Sequence, residues 1–382
     1  MRILTCIGDA ASPRTWSGTP FHLLNAARRR GFLDAGWRLD PHRLRIHRLT
    51  WNAWHRLRRG EYGGFQYSDD FLRRLLIQGH PTGANMEIIS HFPLFPPAPY
   101  HAAVSYYIDA TLAQNFEEYG LAENHTVGRH MMADAMAREK DQYSVAKHIV
   151  CMSAWAARSV VERYGISPNK VHVVPGGSNT DDEIPSNLSG IRSEALSPVR
   201  LGFLGKDWRR KNLLFVLEIA DLLHARGINV EVVAAGFAPE HGPHHSLLRT
   251  IGYIDKHAEP LRFLDFIRAC HFTCLFSSAE AFGISNRESL CAGIPVLARN
   301  IGGIPDTVPD GCGHLFAPEA TAGDVADIVE GYVHDPDRYA ALRAHILERT
   351  STFTWSAAVE KLIAIWSGSP AYSYARLHAA NA

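Results

Sequence analysis

The sequence predicts an α/β protein of two doubly wound domains, each a parallel sheet covered by helices. Three observations point there. The chain has 382 residues, about two domains of ordinary size, and 46% of them are apolar, enough for two buried cores. Short apolar runs of strand length alternate with stretches of helical periodicity, the pattern of strand-helix-strand units in parallel sheets. The alternation breaks once, over a polar stretch rich in Asp, Ser, Asn and Pro between Asn179 and Pro198, and then restarts.

The first series opens with a strand at Arg2 to Ile7 and a helix at Phe21 to Phe32, with Pro20 suited to the first helical turn. Strands follow at Glu87 to Ser90 and Ala102 to Ile108, then one long helical stretch to about Ala146. A strand at His148 to Met152, a helix at Ala154 to Tyr164 and a strand at Val171 to Val174 complete the series. The second runs strand Val199 to Leu204, helix Leu213 to Arg226 stopped by Gly227, strand Asn229 to Ala235, helix Pro260 to Ala269, strand Phe272 to Ser277, helix Asn286 to Ala292 and strand Ile294 to Ala298. The expected boundaries are therefore a first domain over 1–180, a linker over 181–198, a second domain over 199–355, and a terminal helix and tail over 356–382 that return to the first domain. Two such sheets facing across a cleft bind ligands at the carboxyl ends of their strands, so function is expected in the strand-to-helix loops.

Charge and cysteine usage narrow the partners. Lys plus Arg and Asp plus Glu both total 39, which predicts no nucleic acid, although residues 1–180 carry +6 and the remainder −6. The six cysteines form no CxxC pair and no zinc spacing, so they read as buried free thiols. No run approaches the roughly 20 apolar residues of a membrane span, and the expected location is cytoplasmic, at most peripheral at the inner membrane face. Residues 28–59 hold ten arginines against Asp34 and Asp40, interleaved with Trp37, Trp51 and Trp54. That surface suits anionic lipid headgroups or a charged glycan, or is a solvated face with packed tryptophans.

The chemistry concentrates in Glu280-Ala-Phe282-Gly283-Ile284-Ser285-Asn286-Arg287-Glu288, between a strand and a short helix for which Ser285 or Asn286 could be the N-cap. Backbone N–H groups of Gly283, Ile284 and Ser285 at a helix start suit a diphosphate, and Gly283 leaves room for close approach. Glu288, taken to lie in the first turn, could accept from ribose hydroxyls and Glu280 from a sugar ring; alternatively Glu288 complements the helix dipole and Glu280 is solvated. With Ile301-Gly302-Gly303-Ile304-Pro305 downstream, this E-x7-E segment resembles the donor site of the family 4 retaining glycosyltransferases. The resemblance implies the GT-B fold of two Rossmann-like domains, a nucleoside diphosphate sugar as co-substrate, and no metal or other cofactor. It assigns Glu280 to the transferred sugar and Glu288 to the ribose.

Other segments extend the resemblance over most of the chain. Gly205-Lys206-Asp207-Trp208-Arg209-Arg210-Lys211-Asn212 stands where the family has a pattern close to G-R-x4-K-G, which implies Lys206 and Lys211 on the donor diphosphate. Lys206 replaces an arginine and Asn212 a glycine; Arg209 or Arg210 could restore the lost bidentate contact. Ser17-Gly18 stands where Gly-Gly is common, which carries Gly18 over to the donor phosphates, and backbone around Ile254 is expected at the base. The strand ending at Ile108-Asp109 lacks the family's histidine, whose role is then unfilled or moves to His22, His101 or His125. Asp109 is either the group that orients or deprotonates the acceptor or a helix cap. Asp335-Pro336-Asp337 reads as a helix cap rather than a metal motif, and His241, His244 and His245 lack the spacing of a metal site.

The expected function is retaining transfer of a sugar from a UDP- or GDP-linked donor to a hydroxyl of a glycan or glycolipid, in the synthesis of cell-surface polysaccharide or glycoconjugate. Alternatives are a nucleotide-sugar 2-epimerase and a non-catalytic nucleotide- or glycan-binding protein on the same scaffold.

Overall fold

The computed structural model describes residues 1–61, 63–77, 86–91, 103–118, 127–180 and 196–379. The chain divides into two compact units, Met1–Pro175 with Val359–Ala382, and Gly176–Ala358. Most of the expected linker, 181–195, lies outside the described residues.

The first unit runs β1 (Arg2–Ile7), α1 (Thr19–Arg29), β2 (Ala35–Leu39), α2 (Arg45–Arg59), α3 (Asp69–Leu76), β3 (Glu87–Ser90), β4 (Ala103–Ile108), α4 (Leu112–Glu117), α5 (Arg129–Val145), β5 (Ile149–Cys151), α6 (Ala154–Glu162) and β6 (Val171–Val173). Its strands form one sheet, β2-β1-β3-β4-β5-β6, with every pairing parallel. The single long helix expected up to Ala146 is two, α4 and α5. Gly128 adopts extended backbone before α5, and a helix cannot run through it. The sequence reading passed over β2, α2 and α3. β2 is broken by Gly36 and carries the charged Arg38, so its apolar signal is weak until it pairs with β1.

The second unit runs β7 (Val199–Leu204), α7 (Leu213–Ala225), β8 (Val230–Ala235), β9 (Leu248–Thr250), α8 (Pro260–Arg268), β10 (Phe272–Leu275), α9 (Ile284–Cys291), β11 (Val296–Arg299), β12 (Gly313–Phe316), α10 (Ala322–His334) and α11 (Pro336–Arg349). The chain then enters α12 (Trp355–Trp366) and α13 (Tyr374–Ala379). The second sheet is also all parallel, β12-β11-β10-β7-β8-β9. In its middle Gly202 is obligatory, because a Cβ there would lie 2.6 Å from Cys270 Sγ. Cys6, Cys151, Cys270, Cys274, Cys291 and Cys312 are all free and buried. Burial pushes the thiols of Cys6 and Cys270 up to about 12 and raises those of Cys274 and Cys312.

Candidate functional site

In the second sheet the strand order reverses between β7 and β10, so the loops leaving their carboxyl ends splay apart and open a crevice. The predicted chemistry sits on these two loops. Their main chains are stitched together: Ser278 N–H donates to the Arg210 carbonyl at 2.9 Å, and the Arg210 guanidinium donates to the Ala279 carbonyl at 2.6 Å.

Glu280 is held from several sides. Its Oε2 accepts from Ser277 Oγ at 3.2 Å, lies 3.4 Å from Arg210 Nη1 and 4.0 Å from Lys211 Nζ. Of the two arginines proposed to compensate at this loop, Arg210 reaches Glu280, while Arg209 stacks on Trp208 at 4.2 Å. The Lys211 stem passes over Gly205, where a Cβ would overlap it. Burial lowers the Lys211 pKa, against the opposing pull of Glu280 and Glu288. Asn212, standing for the pattern's glycine, has φ +58°, a left-handed conformation that asparagine tolerates better than most side chains. The main chain of Glu280 is fixed from behind, since its carbonyl accepts from Gly303 N–H at 3.2 Å and a Cβ on Gly302 (φ +53°) would overlap that oxygen.

The helix carrying Glu288 begins earlier than expected. Gly283, at φ +85°, is the N-cap of α9, and neither Ser285 nor Asn286 caps it. Only glycine turns the chain into the helix at that dihedral without strain, so the helix includes both polar residues. The Ser285 carbonyl accepts from Ser289 Oγ at 2.8 Å, and Asn286 Nδ2 donates to Thr307 Oγ1 at 2.9 Å. Glu288 consequently falls in the second turn, where the helix dipole no longer explains an acid. It is only 1% exposed, and its carboxylate pairs with Lys256. Lys256 escaped the sequence reading, although it lies two residues past Ile254; no spacing to Glu288 marked it. Three cations, Arg210, Lys211 and Lys256, thus gather around Glu280 and Glu288, with the exposed Asp207 3.7 Å from Arg210 on the outer side.

The remaining predicted donor residues lie around this cluster. Lys206 is exposed, with its ammonium 4.9 Å from the centre of the Tyr253 ring and no ion pair among the described residues. Ile254 is buried in a cluster with Val233 and Phe263, and Phe282 is buried as well. Ile284 is half-buried, and Ser285 is buried inside α9.

In the first unit the predicted residues again sit at the carboxyl edge. After β1 the backbone takes three successive left-handed residues, Trp16 (φ +48°), Ser17 (φ +57°) and Gly18 (φ +92°), before α1 begins. Side chains in that conformation store strain, which collects at ligand loops. Asp109 follows β4 and is half-buried. It does not cap α4, because Thr111 does, in a capping box with Gln114. Beneath this turn Glu139 of α5 accepts from Leu112 N–H at 3.1 Å, Tyr143 OH at 2.8 Å and Tyr164 OH, and burial raises its pKa to about 7. Of the candidate histidines, His22 lies beside Gly18, with Cδ2 3.3 Å from where a Cβ would stand; His101 and His125 lie outside the described residues. His91, not anticipated, follows β3 with Nδ1 2.6 Å from the Tyr107 carbonyl and its ring edge-on to Trp16 at 6.2 Å. A carbonyl only accepts, so Nδ1 carries the proton. The signal was a lone histidine after a short strand.

Asp335 caps α11, accepting from Arg338 N–H at 3.0 Å, and His245 pairs with Asp221 at 3.2 Å. Among the described residues no group of three or more His, Cys, Asp or Glu side chains comes together as a metal site would need.

Residues 193–349 match the family model described as glycosyl transferases group 1. D-inositol 3-phosphate glycosyltransferase 1 of Catenulispora acidiphila is 26% identical over 277 residues, 67% of this chain and 66% of that protein. The D-inositol 3-phosphate glycosyltransferase of Nocardia farcinica is 28% identical over 251 residues, 60% of this chain and 54% of that protein. The chain thus spans less than two thirds of the length of these curated relatives. HepE of Anabaena, solved in complex with UDP and glucose, aligns over 96% of this chain and 100% of its own, with TM-score 0.63 at 15% identity. Sucrose-phosphate synthase of Thermosynechococcus elongatus aligns over 96% and 99%, with TM-score 0.61 at 14% identity. At such identities the likeness is one of fold.

Proposed function

We propose that the chain is a group 1 glycosyl transferase on a GT-B fold, and that it transfers a sugar from a nucleoside diphosphate sugar to a hydroxyl of a glycan or glycolipid, with retention at the anomeric carbon and without a metal. One observation carries the reading: Glu280 and Glu288, each ion-paired, flank the glycine start of α9 at the strand-order reversal of the second sheet.

In this reading the diphosphate rests against Arg210, Lys211 and the first N–H groups of α9. Lys206 swings in from Tyr253 when the donor binds. These cations stabilise charge as it develops on the departing diphosphate, so their contribution grows toward the transition state. Glu288 accepts from the ribose, with Lys256 paired to its carboxylate in a dry setting, and Glu280 accepts from hydroxyls of the transferred sugar. Asp109 orients or deprotonates the acceptor, and Gly18 lets backbone approach the donor phosphates. The UDP complexes of HepE make a uridine donor the first to test.

The test is a thermal-shift panel of nucleoside diphosphates and their sugars, with the wild type beside Glu288→Ala, followed by product analysis of the stabilising donor with and without acceptors. Stabilisation by one base, lost in the variant, and acceptor-dependent release of the diphosphate are the expected results. A donor converted to an isomer without acceptor, or a nucleotide bound with no turnover on any acceptor, would overturn transfer. Activity that EDTA abolishes would overturn metal independence.

A further inference from the structure

The helix α2 carries an unusual outer face. Ile46, Leu49, Ala53 and Leu57 recur at intervals of three and four residues and so share one side. That side points to solvent, with Ile46 75%, Leu49 61% and Leu57 87% exposed, and Trp54 beside it 53% exposed. Among the other described residues of the first unit, large exposed apolar side chains come singly. The stripe is about 16 Å long at 1.5 Å per residue. The helix holds five arginines and no acid, and none of the five interrupts the stripe: Arg45 and Arg56 border one flank and Arg58 the other, with Arg48 and Arg59 further back. Of the nearby acids, Asp40 is engaged with Arg38 and Arg43 and Asp70 with Arg74, while Asp134 pairs with Arg59 at the end of α2 itself. Arg45 and Arg48 are exposed and have no ion pair among the described residues. The structure also corrects the broader expectation for residues 28–59: Trp37 is buried in β2, and Trp51 stacks inward on His55 at 4.4 Å and on Phe65 at 5.6 Å, so only Trp54 joins the exposed face.

We propose that α2 is an in-plane anchor for an anionic lipid bilayer. The stripe Ile46, Leu49, Ala53 and Leu57 enters the headgroup boundary, and the flanking arginines sit at the depth of the lipid phosphates. An apolar face with cations on both edges is the arrangement that lies in a membrane surface rather than across it, and among the described residues no helix is long and apolar enough to cross. Charge complementarity selects the occupant, since a helix that contains no acid and exposes the unpaired Arg45 and Arg48 would repel a second copy of itself and attract phosphate headgroups.

The experiment is flotation of the full chain with vesicles of equal phosphatidylglycerol and phosphatidylcholine, and with phosphatidylcholine alone, at 50 and 300 mM salt. The wild type floats with the anionic vesicles at least tenfold better than with the neutral ones, loses that advantage at high salt, and shows a blue-shifted tryptophan emission on binding. Leu49→Ser/Leu57→Ser weakens binding at least tenfold, and Arg45→Gln/Arg48→Gln weakens it and flattens the salt dependence. Both variants keep the wild-type urea midpoint and nucleotide response, so failure here is separable from failure of the transferase reading. Absence of flotation with anionic vesicles, or undiminished flotation of the Ser variant, overturns the anchor. A lipid-independent dimer that the Ser variant abolishes also overturns it and assigns the face to a second copy.

Discussion

Glutamine at position 139 should remove a defined pH dependence of stability. Glu139 is fully buried, and the cost of charging it there exceeds what Tyr164, Tyr143 and the Leu112 N–H return, so its pKa rises from 4.5 to about 7. Below about pH 4.5 the acid is protonated in both the native and the unfolded chain, and its contribution is complete. As pH climbs toward 7 the unfolded chain releases this proton first, and the native state is destabilised by about 1.4 kcal/mol per pH unit, reaching about 3 kcal/mol before levelling off above pH 7. His172, whose pKa burial lowers to about 4, acts in the opposite direction over a similar range, but it is present in both proteins and cancels in the difference. Urea unfolding of wild type and Glu139→Gln at pH 5, 6, 7 and 8, followed by tryptophan fluorescence, measures that difference. The wild type should lose about 2–3 kcal/mol relative to the variant between pH 5 and 8, part of the full loss having already occurred by pH 5. Parallel stability curves would refute the argument, since they would mean that Glu139 is already ionised in the native protein at pH 5.

Three further outcomes are expected. Ser17→Gly should stabilise the chain by roughly 0.5–1 kcal/mol, because relief of the left-handed strain at φ +57° exceeds the entropy glycine loses; a melting temperature lower than wild type would contradict this. Gly302→Ala should cost on the order of 3 kcal/mol and abolish the nucleotide thermal shift, since its methyl overlaps the Glu280 carbonyl, whereas Gly227→Ala, equally left-handed but with open space around it, should cost only about 1 kcal/mol. Lys256→Met should destabilise by about 2–3 kcal/mol by leaving a buried carboxylate unpaired, and adding Glu288→Gln should recover most of that loss; additive losses in a double-mutant cycle would argue that the pair is not coupled.

Legibility of the sequence followed the physics of each element. β1, β3 and β7 begin and end at the residues read from the chain, because each has a buried centre, Ile3 to Cys6, Ile88 to Ser90 and Leu201 to Phe203, with its charged residue at or next to the strand's start. β2 and β12 carry Gly36, Arg38, Gly313 and His314, and only the neighbouring strand's pairing makes them strands. The glutamates of the second unit were visible through their loop motif, but their partners were not. Arg209 and Arg210 read alike in the sequence, and only the fold shows that Arg210 reaches Glu280; Lys256 reaches Glu288 from a different loop, a relation set by tertiary packing alone. The start of α9 was misjudged because Ser285 and Asn286 are good capping letters, while the decisive feature is a backbone dihedral at Gly283. In α2 the arginines were legible as charge, yet which side of the helix faces out is fixed by Leu44 and His55 packing inward, and that required the fold.

The burial of all six native cysteines makes the protein a ready substrate for selective labelling. A thiol with a pKa near 12, as at Cys6 and Cys270, holds a thiolate fraction at neutral pH roughly three orders of magnitude below that of an exposed cysteine with its ordinary value of about 8.5. A single cysteine introduced at an exposed position such as Leu57 or Leu214 would therefore react with a maleimide dye well before the native thiols, without removing any of them. Fluorescent or spin-labelled forms of either unit can thus be prepared on an otherwise unaltered chain.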